Sequence, residues 1–266
     1  MSIFLLRGLM RSSTLGLLAL ALLGPAAIVS ARQAETDYSP IVSLQVNMCY
    51  LREDSDWKDV EALDDSYHAW MKKNGVERIV VRQTPLMFAG RPERPLYLDF
   101  HIGSHQTTGK AWKLWRTTTE GQSMNEEWGR IADCRVMMTT MYRKYIGTVA
   151  ETGQQRVLEI NWCSKNKDKS WQQLAARHIV PEGEAPGGGN AVFWGVMVPQ
   201  IGGHDMPGDF AHLMTYPDME AFMAKQAWFD LEKGGERYQD YNSSYASCRG
   251  SNLFSEEILY MTDIKM

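Results

Sequence analysis

Residues 47–57 read NMCYLREDSDW, and residues 161–171 read NWCSKNKDKSW. Asn, Cys, Asp and Trp hold the same places in both stretches, which suggests one structural unit written twice. The two cysteines lie 114 positions apart, and the same offset runs outward without a gap. It aligns Leu44 with Leu158, Gly75 with Gly189, Pro85 with Pro199, Gly121 with Gly235 and Cys134 with Cys248. Conservative matches fill in: Val46 with Ile160, Ile79 with Phe193, Ser104 with Asp218, Trp115 with Phe229. Cys49 to Cys134 and Cys163 to Cys248 are both separations of 85 residues. That equality, with the agreement in element order below, carries the repeat.

Each half reads as alternating strands and helices. In residues 41–50, Leu44, Val46 and Met48 alternate as in a half-buried strand. In 57–73, Val60, Leu63, Tyr67, Trp70 and Met71 fall at helical spacing, and Asn74-Gly75 stops the helix. A β-branched strand over 78–84 ends at Pro85, and another over 96–102 alternates Leu96, Leu98, Phe100 and Ile102. Ser104 can cap a helix over roughly 105–131, interrupted at Gly121, before a strand at 135–146. The second half repeats the order at 156–162, 170–179, 191–198, 209–216, 218–245 and 252–262, with Asp218 as the cap. The stretch EGEAPGGGN (182–190) implies a shorter first helix there, followed by a loop. No Gly-Lys-Ser/Thr follows it, so it is not a phosphate loop. The order β-α-β-β-α-β is the ferredoxin-like unit, and the class is α+β.

In that unit the last strand lies antiparallel beside the first. The end of one is then near the start of the other, so the expected disulfides are Cys49–Cys134 and Cys163–Cys248. An even cysteine count in an exported chain favours such bonds, and no Cys-x-x-Cys or Cys/His cluster favours metal.

A ferredoxin-like sheet carries helices on one face and must cover the other. The element order, repeat and length over about 42–263 resemble the dimeric α/β-barrel superfamily. There two such units close one barrel; here they would be fused in tandem, as residues 32–149 and 150–266 of a single chain. The resemblance implies a pocket in each unit, between sheet and helices or toward the barrel centre. Superfamily members include cofactor-independent monooxygenases, isomerases and haem proteins. The haem-degrading group uses an Asn on its first strand with Trp and His. Asn47 or Asn161 would match the Asn, Trp194 or Trp228 the Trp, and His101 or His212 the His. Haem is therefore a possible cofactor on this resemblance.

Strand parity supplies the candidate site. With Leu44, Val46 and Met48 placed toward the helices, Gln45, Asn47 and Cys49 face the barrel interior. The same rule sends Glu159, Asn161 and Cys163 inward, with Tyr97, Asp99 and His101 of the third strand. Arg82 has ambiguous parity. His101, Asp99, Asn47 and Asn161 are the catalytic candidates, with His101 as a general base beside Asp99. Gln45, Glu159 and Arg82 would line the pocket. His212 falls on the apolar parity and is expected in the core. His68, one turn after Asp64, reads as a solvated helix pair. His101 and His105 do not share a helical face, so no metal site is assigned.

The first 31 residues read as a cleaved secretory signal: Arg7 and Arg11, then LGLLALALLGPAAIV, then Val29-Ser30-Ala31. A mature chain from Arg32 has no second long apolar run and is expected in the periplasm or outside the cell. The net charge is −4, and no Lys/Arg stripe is present, which disfavours nucleic acid. No Gly-x-Ser-x-Gly elbow occurs. Asn242-Ser-Ser is a glycosylation sequon that matters only in a glycosylating pathway. The reading that follows is an exported tandem barrel that binds a small, partly apolar ligand. The alternatives are a cofactor-independent or haem-linked monooxygenase or isomerase, and an interaction scaffold with a filled core.

Overall fold

The computed structural model describes residues 41–88, 96–147, 154–180 and 185–262. The expected signal segment and the boundary near 149 lie outside them. All the described residues belong to one compact unit, Asp37–Met266.

Eight strands and six helices follow one another along these residues. They are β1 (Ile41–Leu51), α1 (Trp57–Lys73), β2 (Ile79–Met87), β3 (Leu96–Gly103), α2 (His105–Thr117), α3 (Thr119–Ile131) and β4 (Ala132–Ile146). Then come β5 (Gln155–Lys165), α4 (Trp171–Arg177), β6 (Phe193–Ile201), β7 (Phe210–Tyr216), α5 (Met219–Leu231), α6 (Lys233–Ser244) and β8 (Ala246–Met261). The strands close into a barrel in the order β1-β3-β2-β8-β5-β7-β6-β4, and all the ladders are antiparallel.

Local chemistry sets the helix ends. Asp56 and Asp59 form a reciprocal capping box on α1, and Ser170 and Gln173 form one on α4. Ser104 and Asp218 cap α2 and α5 through Thr107 and Ala221. Gly75 ends the α1 turn at φ 57°, a conformation that suits glycine. The long helix expected over 105–131 breaks at Thr118, three residues before Gly121. Thr118 caps the new helix. Gly121 is needed for a different reason: a Cβ there would meet the Trp115 carbonyl at 2.6 Å. Gly235 stands in the same relation to the Phe229 carbonyl, at 2.5 Å.

Both expected disulfides form, Cys49–Cys134 and Cys163–Cys248, each between facing residues of adjacent strands. The uniform offset fails in one place. Asn47 faces Asp99 across the β1–β3 ladder, whereas Asn161 faces His212 across β5–β7, one position short of it. β2 also runs on past Pro85 to Met87, where Pro85 lies opposite Phe254.

The expected facing of the strands is reversed. The largest apolar cluster contains Val42, Leu44, Val46, Phe100, Leu158, Ile160, Leu213 and Phe254, draws on all eight strands, and includes no helix residue. These side chains fill the barrel. An eight-stranded barrel has an interior just wide enough for side chains, so it takes the apolar face of every strand. Gln45, Asn47, Cys49, Asp99, His101, Glu159, Asn161 and Cys163 consequently point outward, under the helices. Polar side chains also sit on the interior parity: Gln83 donates to Glu256 (2.9 Å), which also pairs with Arg156 (2.6 Å), tying β2 to β8 and β5, and Thr139 Oγ1 donates to the Leu44 carbonyl (2.9 Å).

Candidate functional site

Among the described residues, two cavities of note lie between the barrel and its helices. The larger, about 1390 Å³, is lined by Asn161, His178, Trp194, His212, Trp228 and Tyr241 among others. The smaller, about 330 Å³, is lined by Asn47, Tyr67, Arg78, His101, Trp112 and Trp115 among others.

In the large cavity, β5 presents Asn161, β6 presents Trp194 and β7 presents His212. Tyr241 reaches in from α6, and His178 follows the last turn of α4. Burial holds both imidazoles neutral, lowering His178 to about 2 and His212 to about 4. The His212 proton can then be placed. An indole N–H can only donate, and Trp194 Nε1 lies 3.1 Å from His212 Nδ1. His212 therefore carries its proton on Nε2, which donates to Tyr241 Oη at 3.1 Å. Tyr241 Oη also shares a hydrogen bond with His178 Nε2 at 2.7 Å. Burial also raises the Tyr241 pKa, which keeps the phenol protonated.

Glu159 lines the same cavity with all its charge answered. It accepts from Lys225 Nζ (2.8 Å), Tyr216 Oη (2.9 Å) and Ser251 Oγ (2.6 Å). Asn161 Oδ1 is the exception, buried with no hydrogen-bond partner. The glycine run forms part of the wall. Gly187 and Gly188 sit at φ +65° and +69°, and a Cβ on Gly188 would meet the Trp228 ring at 2.7 Å. Glycine here lets the backbone close onto an indole.

The small cavity has its own directed chain. Trp112 Nε1 donates to Gln45 Oε1 (2.9 Å), Gln45 Nε2 to Asn47 Oδ1 (2.8 Å), and Asn47 Nδ2 to His101 Nε2 (3.1 Å). His101 thus carries its proton on Nδ1, toward Tyr67 Oη at 3.4 Å. Burial, then the nearby Arg78 cation, pushes the His101 pKa well down.

Several expectations change. Asp99 does not support His101; it is locked with Arg82, which donates to it at 2.9 and 2.8 Å and to Asp64 at 2.7 and 3.2 Å. Neither Asp99 nor Arg82 lines either of these cavities. Burial raises Asp64 to about 6 against the pull of Arg82. Asp64 is therefore no partner for His68, whose ring stacks on Tyr260. His101 is a poor general base, because its lone pair already takes the Asn47 amide. His212 lines the large cavity and is not part of the apolar core. Cys163, His212 and Cys248 bring their ligand atoms within 4.8 Å of one another, but both sulfurs are spent in the disulfide.

The sequence reasoning passed over Tyr241, His178, Lys225, Tyr67 and Arg78. All but Arg78 sit on or just after helices, where strand parity gives no guide. Arg78 directly precedes β2 and could have been noticed as a charge beside a β-branched strand.

No protein-family model matches the sequence, and no curated protein is similar to it. Solved structures are. A candidate monooxygenase from Lactobacillus acidophilus NCFM superposes with a TM-score of 0.50 at 9% identity, over 82% of this chain and 94% of the other. A candidate monooxygenase from Fusobacterium nucleatum subsp. nucleatum ATCC 25586 gives 0.49 at 9% identity, over 83% and 93%. A DypB variant of Rhodococcus jostii RHA1 in complex with heme gives 0.45 at 10%, over 81% and 92%. At 9% identity the likeness to the Lactobacillus acidophilus structure is one of fold alone, an α/β barrel, as the element order implied.

Proposed function

We propose that this is an exported protein, built of two fused ferredoxin-like units (32–149 and 150–266), that binds a small, uncharged, partly apolar ligand in the large cavity. The cavity itself carries the reading. Aromatic side chains stand beside covered polar groups that are neutral or, as with Glu159 and Lys225, internally neutralised; the charged residues that also line the cavity, Arg177, Glu232, Glu236 and Arg237, are exposed, and Asn161 Oδ1 awaits a donor. Two disulfides fit an oxidising compartment, and no helix among the described residues is long and apolar enough to cross a membrane. The duplication is supported by Gly121 and Gly235 at matching close approaches, and by two tryptophans at matching helix starts. Trp57 packs on Tyr97 (5.5 Å) and Trp171 on Phe210 (6.1 Å).

A second reading, a cofactor-independent or haem-linked monooxygenase or isomerase, has one specific observation in its favour. Asn161, Trp194 and His212, matched above to the Asn, Trp and His of the haem-degrading group, share the large cavity. Haem does not fit the donors present. Both histidine Nε2 atoms face the Tyr241 hydroxyl, and His212 Nδ1 takes the Trp194 N–H. The scaffold reading keeps its filled barrel but leaves both cavities unexplained.

The test uses the mature chain purified from an oxidising compartment and N-phenyl-1-naphthylamine, a neutral fluorescent amine with one N–H donor. Binding is expected, unchanged between pH 5 and 8, and weakened roughly tenfold by Asn161→Leu, the loss of about one buried hydrogen bond. The preparation should show no Soret band. A Soret band, or no binding of the probe, overturns the reading.

A further inference from the structure

The small cavity holds a cation without a counterion. Arg78 is 3% exposed, and its guanidinium is a permanent charge. Its Nη1 donates to Tyr67 Oη at 3.0 Å; the other close atom, His101 Nδ1 at 3.3 Å, bears a proton of its own and cannot accept. Its Nε is buried with no partner at all. Among the described residues no carboxylate pairs with it. The oxygens of Asp64 and Asp99 are taken directly by Arg82. A buried guanidinium left with idle donors is costly. Trp70, Trp112, Trp115 and Trp128 line the 330 Å³ space, with Arg52 and Asp133, one cation and one carboxylate, also on its lining.

We propose that this cavity is a second binding site, for a small planar aromatic anion whose carboxylate is received by Arg78. The guanidinium offers a planar fork that matches a carboxylate with two parallel hydrogen bonds. Indole faces suit a ring of one or two fused cycles, and the space is at the small end for a ligand pocket. The site is independent of the large cavity, whose polar groups suit a neutral molecule.

The experiment compares 1-naphthoate with 1-naphthamide, which has the same shape and no charge, by calorimetry on the disulfide-bonded mature chain. The acid is expected to bind at least tenfold more tightly than the amide. Arg78→Met should erase that preference, and Arg78→Lys should keep part of it. Circular dichroism checks that each variant folds; if Arg78→Met does not, the acid–amide ratio on the unaltered chain and a crystal of the naphthoate complex decide. A carboxylate seated on Arg78 upholds the proposal. Equal affinities, a preference that survives in folded Arg78→Met, naphthoate seated in the other cavity, or no binding at millimolar concentration each overturn it.

Discussion

Histidine is the residue on which the acid–base behaviour of this protein turns. His178 and His212 are held neutral far below the usual 6.5. The sign follows from linkage. Between pH 6.5 and about 4 the unfolded chain takes up protons that the folded chain refuses, so stability falls on acidification. Asp64 works the other way: raised from 3.8 to about 6, it favours the fold as pH drops through that range. His101, likewise held down by burial, adds to them; three histidines outweigh one carboxyl, and a net loss on the order of 4 kcal/mol is expected between pH 7 and pH 5. Urea unfolding at the two pH values measures it, and His212→Asn should flatten the slope. A stability that is level or rises toward pH 5 contradicts the neutral chain through Tyr241. Residue types and strand parity in the sequence pointed to Asn161 and put His212 in the core. They gave no sign that Trp194, as a donor-only group, would dictate which nitrogen of His212 carries the proton.

The two disulfides act between elements, joining β1 to β4 and β5 to β8. Each closes a separation of 85 residues. In the chain-entropy account loop length sets the contribution, about 4–5 kcal/mol for each bond. Cys49→Ser with Cys134→Ser, and Cys163→Ser with Cys248→Ser, are therefore expected to cost the same within about 1 kcal/mol in denaturant unfolding. A large difference would mean that native-state packing, and not loop closure, governs one of them. This level was the most legible in sequence. Cysteine spacing, helix caps and the Gly75 stop are local signals, and α1 spans Trp57–Lys73 as its periodicity indicates. The break at Thr118 was misplaced because Gly121 reads as a helix breaker, while its role is to clear the Trp115 carbonyl.

At the scale of the molecule, the barrel closes only through the β2–β8 and β4–β6 ladders. Either half alone would leave those strand edges unpaired and its share of the interior, such as Val42, Leu44 and Phe100, in water. Residues 32–149 expressed alone in an oxidising compartment are thus expected to self-associate, closing a barrel from two copies, as light scattering would register. A folded, soluble monomer would argue against the duplication. By itself, the sequence determined the order of elements, the class of fold, the disulfide pairs and the alternation of each strand, because these depend on near neighbours and fixed periods. It could not determine which face of a strand turns inward. A period of two separates the faces without naming them. That choice belongs to the closed barrel, whose narrow interior excludes water and takes the apolar side of all eight strands. The polar residues are thereby left to the helix layer, where both cavities lie.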